Sequence, residues 1–197
     1  MHVRPLAIGA VLGIGSLTLA AQTGSAGSGQ QPAAGTIVTP SQALDSELSL
    51  IERQFMNAVK AMPADKFSFA PSTAIFVSGQ ATEFKGVRTF AQQATHVAQA
   101  NYAFYSAVSG LKPDVDVNAI GTLTAKDDVV AALAGSFRFA HRAIATLTAA
   151  NAFEAVTTPE PGLKTRVTYA GRGIAHMNDH YGQIGEYLRM NGIVPPV

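Results

Sequence analysis

Apolar residues recur at steps of three and four over residues 39–62. The recurring positions are Leu44, Leu48, Ile51, Phe55, Val59 and Met62. At 100° per residue they fall on one stripe of an α-helix, which is typical of a helix with one buried face. Thr39 and Gln42 have the spacing of a capping box, and Pro63 disfavours continuation of the helix. The pattern predicts a first amphipathic helix here.

Three more stretches show the same helical period. The second runs from a capping box at Thr89 to Val108, the third starts from a cap at Thr124, and the fourth covers about 165–190. The apolar positions of the third stretch are Val130, Leu133, Phe137, Ala140, Ile144 and Leu147. The longest strand-like alternation of apolar and polar residues is the four-residue stretch 74–77. Four such helices predict an all-α protein, a four-helix bundle around one core.

The connections are long for an up-and-down bundle, in which links of about 2–8 residues are usual. Residues 111–123 span up to about 43 Å when fully extended, whereas a helix of about 20 residues is roughly 30 Å long. The second and third helices could therefore be parallel neighbours joined by a crossover.

Residues 1–21 have the pattern of a secretory signal peptide. The positive charge of Arg4 precedes the apolar run 6–21, and the chain becomes polar at Gln22. This run is shorter than the roughly 20 residues that a spanning helix needs, so a cleaved signal is favoured over an uncleaved membrane anchor. Residues 22–38, rich in Gly, Ser, Gln, Ala and Pro, predict a flexible linker. We expect a folded domain over 39–197 in an exported protein, periplasmic or extracellular, with no stable membrane anchor after cleavage.

The amino-acid composition limits the kinds of ligand and reaction that the protein can have. Hydrophobic residues make up 47% of the chain and charged residues 14%, which indicates a globular protein. The formal net charge of +1 gives no strong attraction to nucleic acid or acidic lipid. The chain has no cysteine, which excludes disulfides, thiolate nucleophiles and cysteine-ligated metals. Any bound metal must have nitrogen or oxygen ligands.

Three histidines are candidate metal ligands. His176 and His180 are four residues apart, so on a helix they lie one turn apart on one face. His96 lies beside Val97, Ala100 and Phe104, on the apolar face of the second helix. Three imidazoles that face one cavity suit zinc, nickel or iron and leave coordination positions open. The alternative interpretation is a hydrogen-bonded cluster of core histidines.

Two other residues are weak catalytic candidates. His141 lies near the apolar stripe of the third helix and could be a fourth ligand or support one, although a surface histidine is the favoured alternative. Gln183 lies one turn after His180 on the same face. It could bind a substrate or the metal's water, or it could be an amide at the edge of the core without a function.

Two segments resemble the DinB-like family. They are 176–196 (HMNDHYGQIGEYLRMNGIVPP) and 90–102 (FAQQATHVAQANY), and a looser resemblance covers 44–196. It implies a four-helix bundle in up-down-down-up order. It also implies a metal held by one histidine of the second helix and an H-x-x-x-H pair of the fourth. At the matching positions these are His96, His176 and His180.

The resemblance implies a metalloenzyme-like pocket, and we expect a metal-dependent hydrolase or transferase that acts on a small molecule, although some relatives have no established activity. Some relatives transfer or isomerise substrates with a low-molecular-weight thiol, but those thiols are cytoplasmic, so the predicted export disfavours that role here. Two alternatives stay open, a non-catalytic protein that binds a small ligand and a structural metalloprotein of the cell envelope. The expected partner is a small-molecule substrate or ligand, and a homodimer is also open.

Overall fold

The computed structural model describes residues 32–80 and 83–196, and every helix or strand of more than one residue in those ranges is a helix. The helices are α1 (Pro40–Ala61), α2 (Phe90–Ser109), α3 (Val117–Ile120), α4 (Lys126–Ile144) and α5 (Arg166–Met190). Two 3₁₀ turns, Ala64–Lys66 and Thr73–Ile75, lie in the connection after α1. The predicted signal peptide and the linker residues 22–31 lie outside the described residues. No described helix is long and apolar enough to cross a membrane.

Three of the four long helices begin at a capping box. At α1 the Gln42 amide donates to the Thr39 hydroxyl at 3.2 Å, and the Thr39 amide donates to the Gln42 side chain at 2.9 Å. The same exchange begins α2 and α5. Each cap satisfies amide groups that have no partner within the helix, and is worth about 1 kcal/mol.

The start of α4 differs from the sequence prediction. The helix is preceded by Ala125, which makes no side-chain cap, so the predicted cap at Thr124 is wrong by one residue. Asp127 and Asp128 lie in the first turn instead. Their negative charges face the positive end of the helix dipole, and this interaction replaces part of the missing cap.

Contacts at the helix ends fix the directions of α1, α2 and α4. The Lys126 ammonium, at the start of α4, donates to the carbonyl oxygen of Met62, just after α1, at 2.8 Å. It also lies 5.9 Å from the centre of the Phe67 ring. The Ala91 amide, at the start of α2, donates to the Phe67 carbonyl at 2.9 Å. Helices α2 and α4 therefore begin at the end of the bundle where α1 finishes, and the predicted parallel crossover is confirmed.

Helix α5 runs antiparallel to α2. At its start Arg166 donates to the Val108 carbonyl at 3.0 Å, and near its end the Tyr187 hydroxyl donates to the Arg88 carbonyl at 3.0 Å. The order is thus up-down-down-up. Helix α2 packs between α4 and α5 and buries more of its residues than any other described helix. Polar side chains on α2 therefore lie inside the bundle.

A histidine joins α4 to α1. The Nδ1 atom of His141 lies 2.6 Å from a carboxylate oxygen of Asp45, and its Nε2 atom lies 2.9 Å from one of Glu52. Carboxylates only accept hydrogen bonds, so both contacts are satisfied when both ring nitrogens carry protons. Burial opposes that charge, but the hydrogen bonds and negative charges of Asp45 and Glu52 outweigh it and raise the pKa of His141.

This pair of contacts should make stability depend on pH. Because the pKa of His141 is raised above its ordinary value of 6.5, its stabilisation is fully present below that pH and is lost as pH rises through the folded-state pKa. We expect His141→Gln to lower the free energy of unfolding by about 1 kcal/mol near pH 5.5, and by much less near pH 9. Denaturant titrations of both proteins at the two pH values measure this. An equal difference at both pH values would contradict the ion-pair account.

Candidate metal centre

The three candidate histidines come from two antiparallel neighbours, α2 and α5. His96 lies in the second turn of α2, on the side that packs against α5. His176 and His180 lie one turn apart near the middle of α5. The rings of His96 and His180 are 4.8 Å apart between centroids, and those of His96 and His176 are 5.1 Å apart. The helix periodicity thus brings together residues that are distant in the sequence.

The Nε2 atoms of the three rings face one another. His176 Nε2 lies 3.2 Å from His96 Nε2 and 3.2 Å from His180 Nε2. The possible ligand atoms of the three residues all lie within 4.8 Å of one another. Ligand nitrogens about 2.0–2.1 Å from a tetrahedral ion are roughly 3.3 Å apart, so the observed spacing fits one ion. Three imidazoles without a thiolate or carboxylate suit zinc, nickel or iron.

Burial favours the neutral form of all three rings. Burial, helped by the charges of Arg88 and His176, lowers the pKa of His96 to about 4. Burial, with smaller effects of the two other histidines, lowers the pKa of His180 to about 4 as well. Burial also lowers the pKa of His176. A neutral imidazole keeps one unprotonated nitrogen, and that lone pair is what a metal ion binds.

A chain of hydrogen bonds orients His180. The exposed carboxylate of Asp179 accepts from Gln183 Nε2 at 3.1 Å. Gln183 Oε1 accepts from Gln93 Nε2 at 2.8 Å, and Gln93 Oε1 lies 2.8 Å from Nδ1 of the buried His180. Because the ionised carboxylate can only accept, it fixes the direction of each amide along this chain. Gln93 therefore presents its oxygen to His180, and His180 Nδ1 donates the proton.

This direction leaves the Nε2 lone pair of His180 unprotonated and aimed at the other two rings. Metal-binding histidines usually donate a hydrogen bond from their second ring nitrogen to a carboxylate, a carbonyl oxygen or water in this way. His176 has no such support, because its Nδ1 atom is buried without a hydrogen-bond partner among the described residues. A single proton on His176 Nε2 would be shared by two neighbouring lone pairs, whereas a cation would bind the Nε2 lone pairs of all three rings. The donor set therefore fits a divalent ion.

The other predicted residues have different positions. His141 is not part of the histidine group, and its ring nitrogens bind Asp45 and Glu52 at the α1–α4 interface. That placement gives no support to a fourth ligand. Gln183 bonds to Gln93 and Asp179, so it acts on the cluster through Gln93. Gln93, which is only 3% exposed, was not among the predicted site residues. The sequence feature that could have identified it is a glutamine on the buried face of α2, about one turn before His96.

The fold and the site together define the class of the protein. It is a helical bundle with a parallel crossover and three inward-facing histidines that form a candidate metal centre. The sequence model of the DinB superfamily matches residues 47–184, well over half of the chain, and the chain belongs to that superfamily. No curated protein matches the sequence.

Solved structures share the fold. A DinB-like protein from Bacillus cereus ATCC 10987 superposes with a TM-score of 0.65 at 14% identity, covering 79% of this chain and 95% of that one. A protein assigned to the DinB family from Exiguobacterium sibiricum 255-15 gives a TM-score of 0.56 at 17% identity, covering 80% and 95%. The predicted family and bundle are confirmed, whereas metal binding stays a prediction.

Proposed function

We propose that this protein binds one divalent ion, zinc, nickel or iron, through His96, His176 and His180, and acts as a hydrolase or transferase on a small molecule. The observation that carries the proposal is the convergence of three neutral Nε2 atoms, two of them 3.2 Å from the third. The bound ion would supply Lewis acidity that polarises an electrophilic bond of the substrate. We further propose export, based on the pattern of residues 1–21, which N-terminal sequencing of the mature protein tests.

The protein's own residues orient one ring of the site and pack against another. Gln93 fixes the ring of His180 through the hydrogen bond to Nδ1. The Phe104 ring lies against His176, with 5.4 Å between centroids. The hydrogen bond keeps the His180 lone pair pointed at the other two rings before any ligand arrives, and the Phe104 contact restricts the His176 ring, so less reorganisation is needed on binding.

A cavity gives a small molecule access to the cluster. It has a volume of about 410 Å³, and the half-buried His96 forms part of its wall. The volume falls within the roughly 300–1,000 Å³ that is usual for small-molecule sites. Access on the side of His96 favours a site that meets a substrate over a closed structural site.

One observation favours the non-catalytic alternative, a metalloprotein of the envelope that binds a ligand or only a structural ion. Both weak catalytic candidates already have hydrogen-bond partners. His141 contacts two carboxylates, and Gln183 accepts from the amide of Gln93. Among the described residues, no carboxylate belongs to the histidine group.

Cobalt substitution distinguishes an open from a closed site. We expect the Co²⁺-loaded protein to change its visible absorption spectrum on addition of azide, because three protein ligands leave a coordination position free. Wild-type protein and a His176→Ala control are titrated in parallel. A spectrum that azide does not change would indicate a closed, structural site and would contradict the catalytic proposal.

A further inference from the structure

The charge in the described wall of the cavity beside His96 is positive. This wall includes Arg88, His96 and the neutral polar side chains of Gln92, Thr95 and Gln99. Among the described residues, Arg88 is the one charged residue in this wall, and no acidic residue belongs to it. The remaining polar side chains are neutral hydrogen-bonding groups. A cavity of this kind disfavours cationic molecules and favours anionic ones.

Arg88 has a fixed backbone, and its guanidinium has no ionic partner in the described part of the chain. The Tyr187 hydroxyl donates to its carbonyl oxygen at 3.0 Å, and the capping residue Thr89 follows it. Within residues 32–80 and 83–196, Arg88 makes no salt bridge. By contrast, Arg166 pairs with Glu154 at 2.9 Å. The guanidinium of Arg88 is therefore free to bind a ligand.

The proposed metal would add to this positive charge. Three neutral imidazoles do not compensate the charge of a divalent ion, and the histidine group includes no carboxylate among the described residues. Asp179, the acid next to His180 in sequence, accepts from Gln183 and is not part of the cavity wall. The ligands themselves therefore leave the charge of the ion uncompensated, which favours binding of an anion from outside the protein.

We propose that the cavity receives an anionic group, a carboxylate or a phosphate, of the small molecule that the metal site binds, and that Arg88 binds this group. The proposal rests on the proposed function for the presence of the metal. A guanidinium matches both anions with two parallel hydrogen bonds. Gln92, Thr95 and Gln99 line the same wall and can hydrogen-bond the uncharged part of the molecule.

Calorimetric titration of the zinc-loaded and the zinc-free protein tests this proposal. The probes are malonate, inorganic phosphate and malonamide, which has the shape of malonate without its charge. We expect malonate or phosphate to bind the zinc-loaded wild type more tightly than malonamide does. Arg88→Gln should weaken that binding about tenfold or more, because charge-assisted hydrogen bonds are lost. Binding of malonate only, or of phosphate only, would identify the anion.

The matched control is Arg142→Gln, which removes the same charge from an arginine that pairs with Asp114 at 3.8 Å and is not part of the cavity wall. It should leave anion binding within about twofold, since surface charges act weakly at physiological salt. Equal anion affinity in Arg88→Gln and wild type, with zinc content unchanged, would overturn the proposal, as would no anion binding to zinc-loaded wild type. A wild type that binds none of zinc, nickel and iron would instead overturn the proposed function. Arg88-dependent binding to the zinc-free protein would then still support the anion site.

Discussion

Alanine at His96, His176 or His180 should abolish the part of the protein's thermal stability that depends on metal. An ion that binds only the folded protein stabilises it by about 2.7 kcal/mol when its free concentration is 100 times Kd. For a domain of this size that corresponds to a rise of roughly 5–10 °C in Tm. The two helices that the ion would join are α2 and α5, so the effect should extend to the whole bundle. Differential scanning calorimetry of zinc-loaded and chelated protein measures it.

The comparison is made within each variant, because replacing a buried ring such as His180 also costs stability through the cavity that it leaves. His141→Ala is the control, since His141 bonds to Asp45 and Glu52 and not to the histidine group. It should keep the bound metal and the full shift on chelation. If His176→Ala and His180→Ala kept one metal per chain and the same shift, the three rings would be a core hydrogen-bond cluster.

Gln93→Leu should lower the metal affinity about 10- to 100-fold without removing a ligand. Leucine cannot accept the proton of His180 Nδ1, so the ring loses the contact of 2.8 Å that fixes its tautomer and orientation. The Nε2 lone pair of His180 would then no longer be held toward the other rings. Competition with a chromophoric chelator measures the zinc Kd of wild type and variant.

Asn101→Leu is the matched control for Gln93→Leu. Asn101 is also a buried amide on α2, but it donates to Ser136 of α4 at 3.1 Å and has no contact with the histidine group. Both variants should lose stability because a buried hydrogen bond is removed. Only Gln93→Leu should change the zinc Kd. Similar weakening by both variants would show that Gln93 acts through general packing.

The helices and their order could be predicted because their signals are local or set by chain length. The capping boxes at Thr39 and Thr89 lie beside clean apolar stripes, and the long connection 111–123 permitted the parallel crossover. The start of α4 was misplaced because Thr124, a good capping residue, gives way to an uncapped start after Ala125. Tertiary contacts of Lys126 with the end of α1 favour that start over a local cap.

The site could be predicted in part. His96, His176 and His180 follow the helical period of the buried faces, so their meeting in space required only that α2 and α5 be neighbours. The roles of Gln93 and His141 could not be predicted, because they depend on which side chains lie opposite across two interfaces. Helix periodicity gives the face on which a residue lies but not the relative height of two helices. The hydrogen-bond partners follow from that height.

Anomalous diffraction from crystals of the zinc-loaded protein tests the central claim most directly. We predict one strong anomalous peak per chain, about 2.0–2.1 Å from the Nε2 atoms of His96, His176 and His180. Data collected on both sides of the zinc absorption edge identify the element. Absence of a peak between the three rings at full zinc loading, or a peak bound to other residues, would contradict the account.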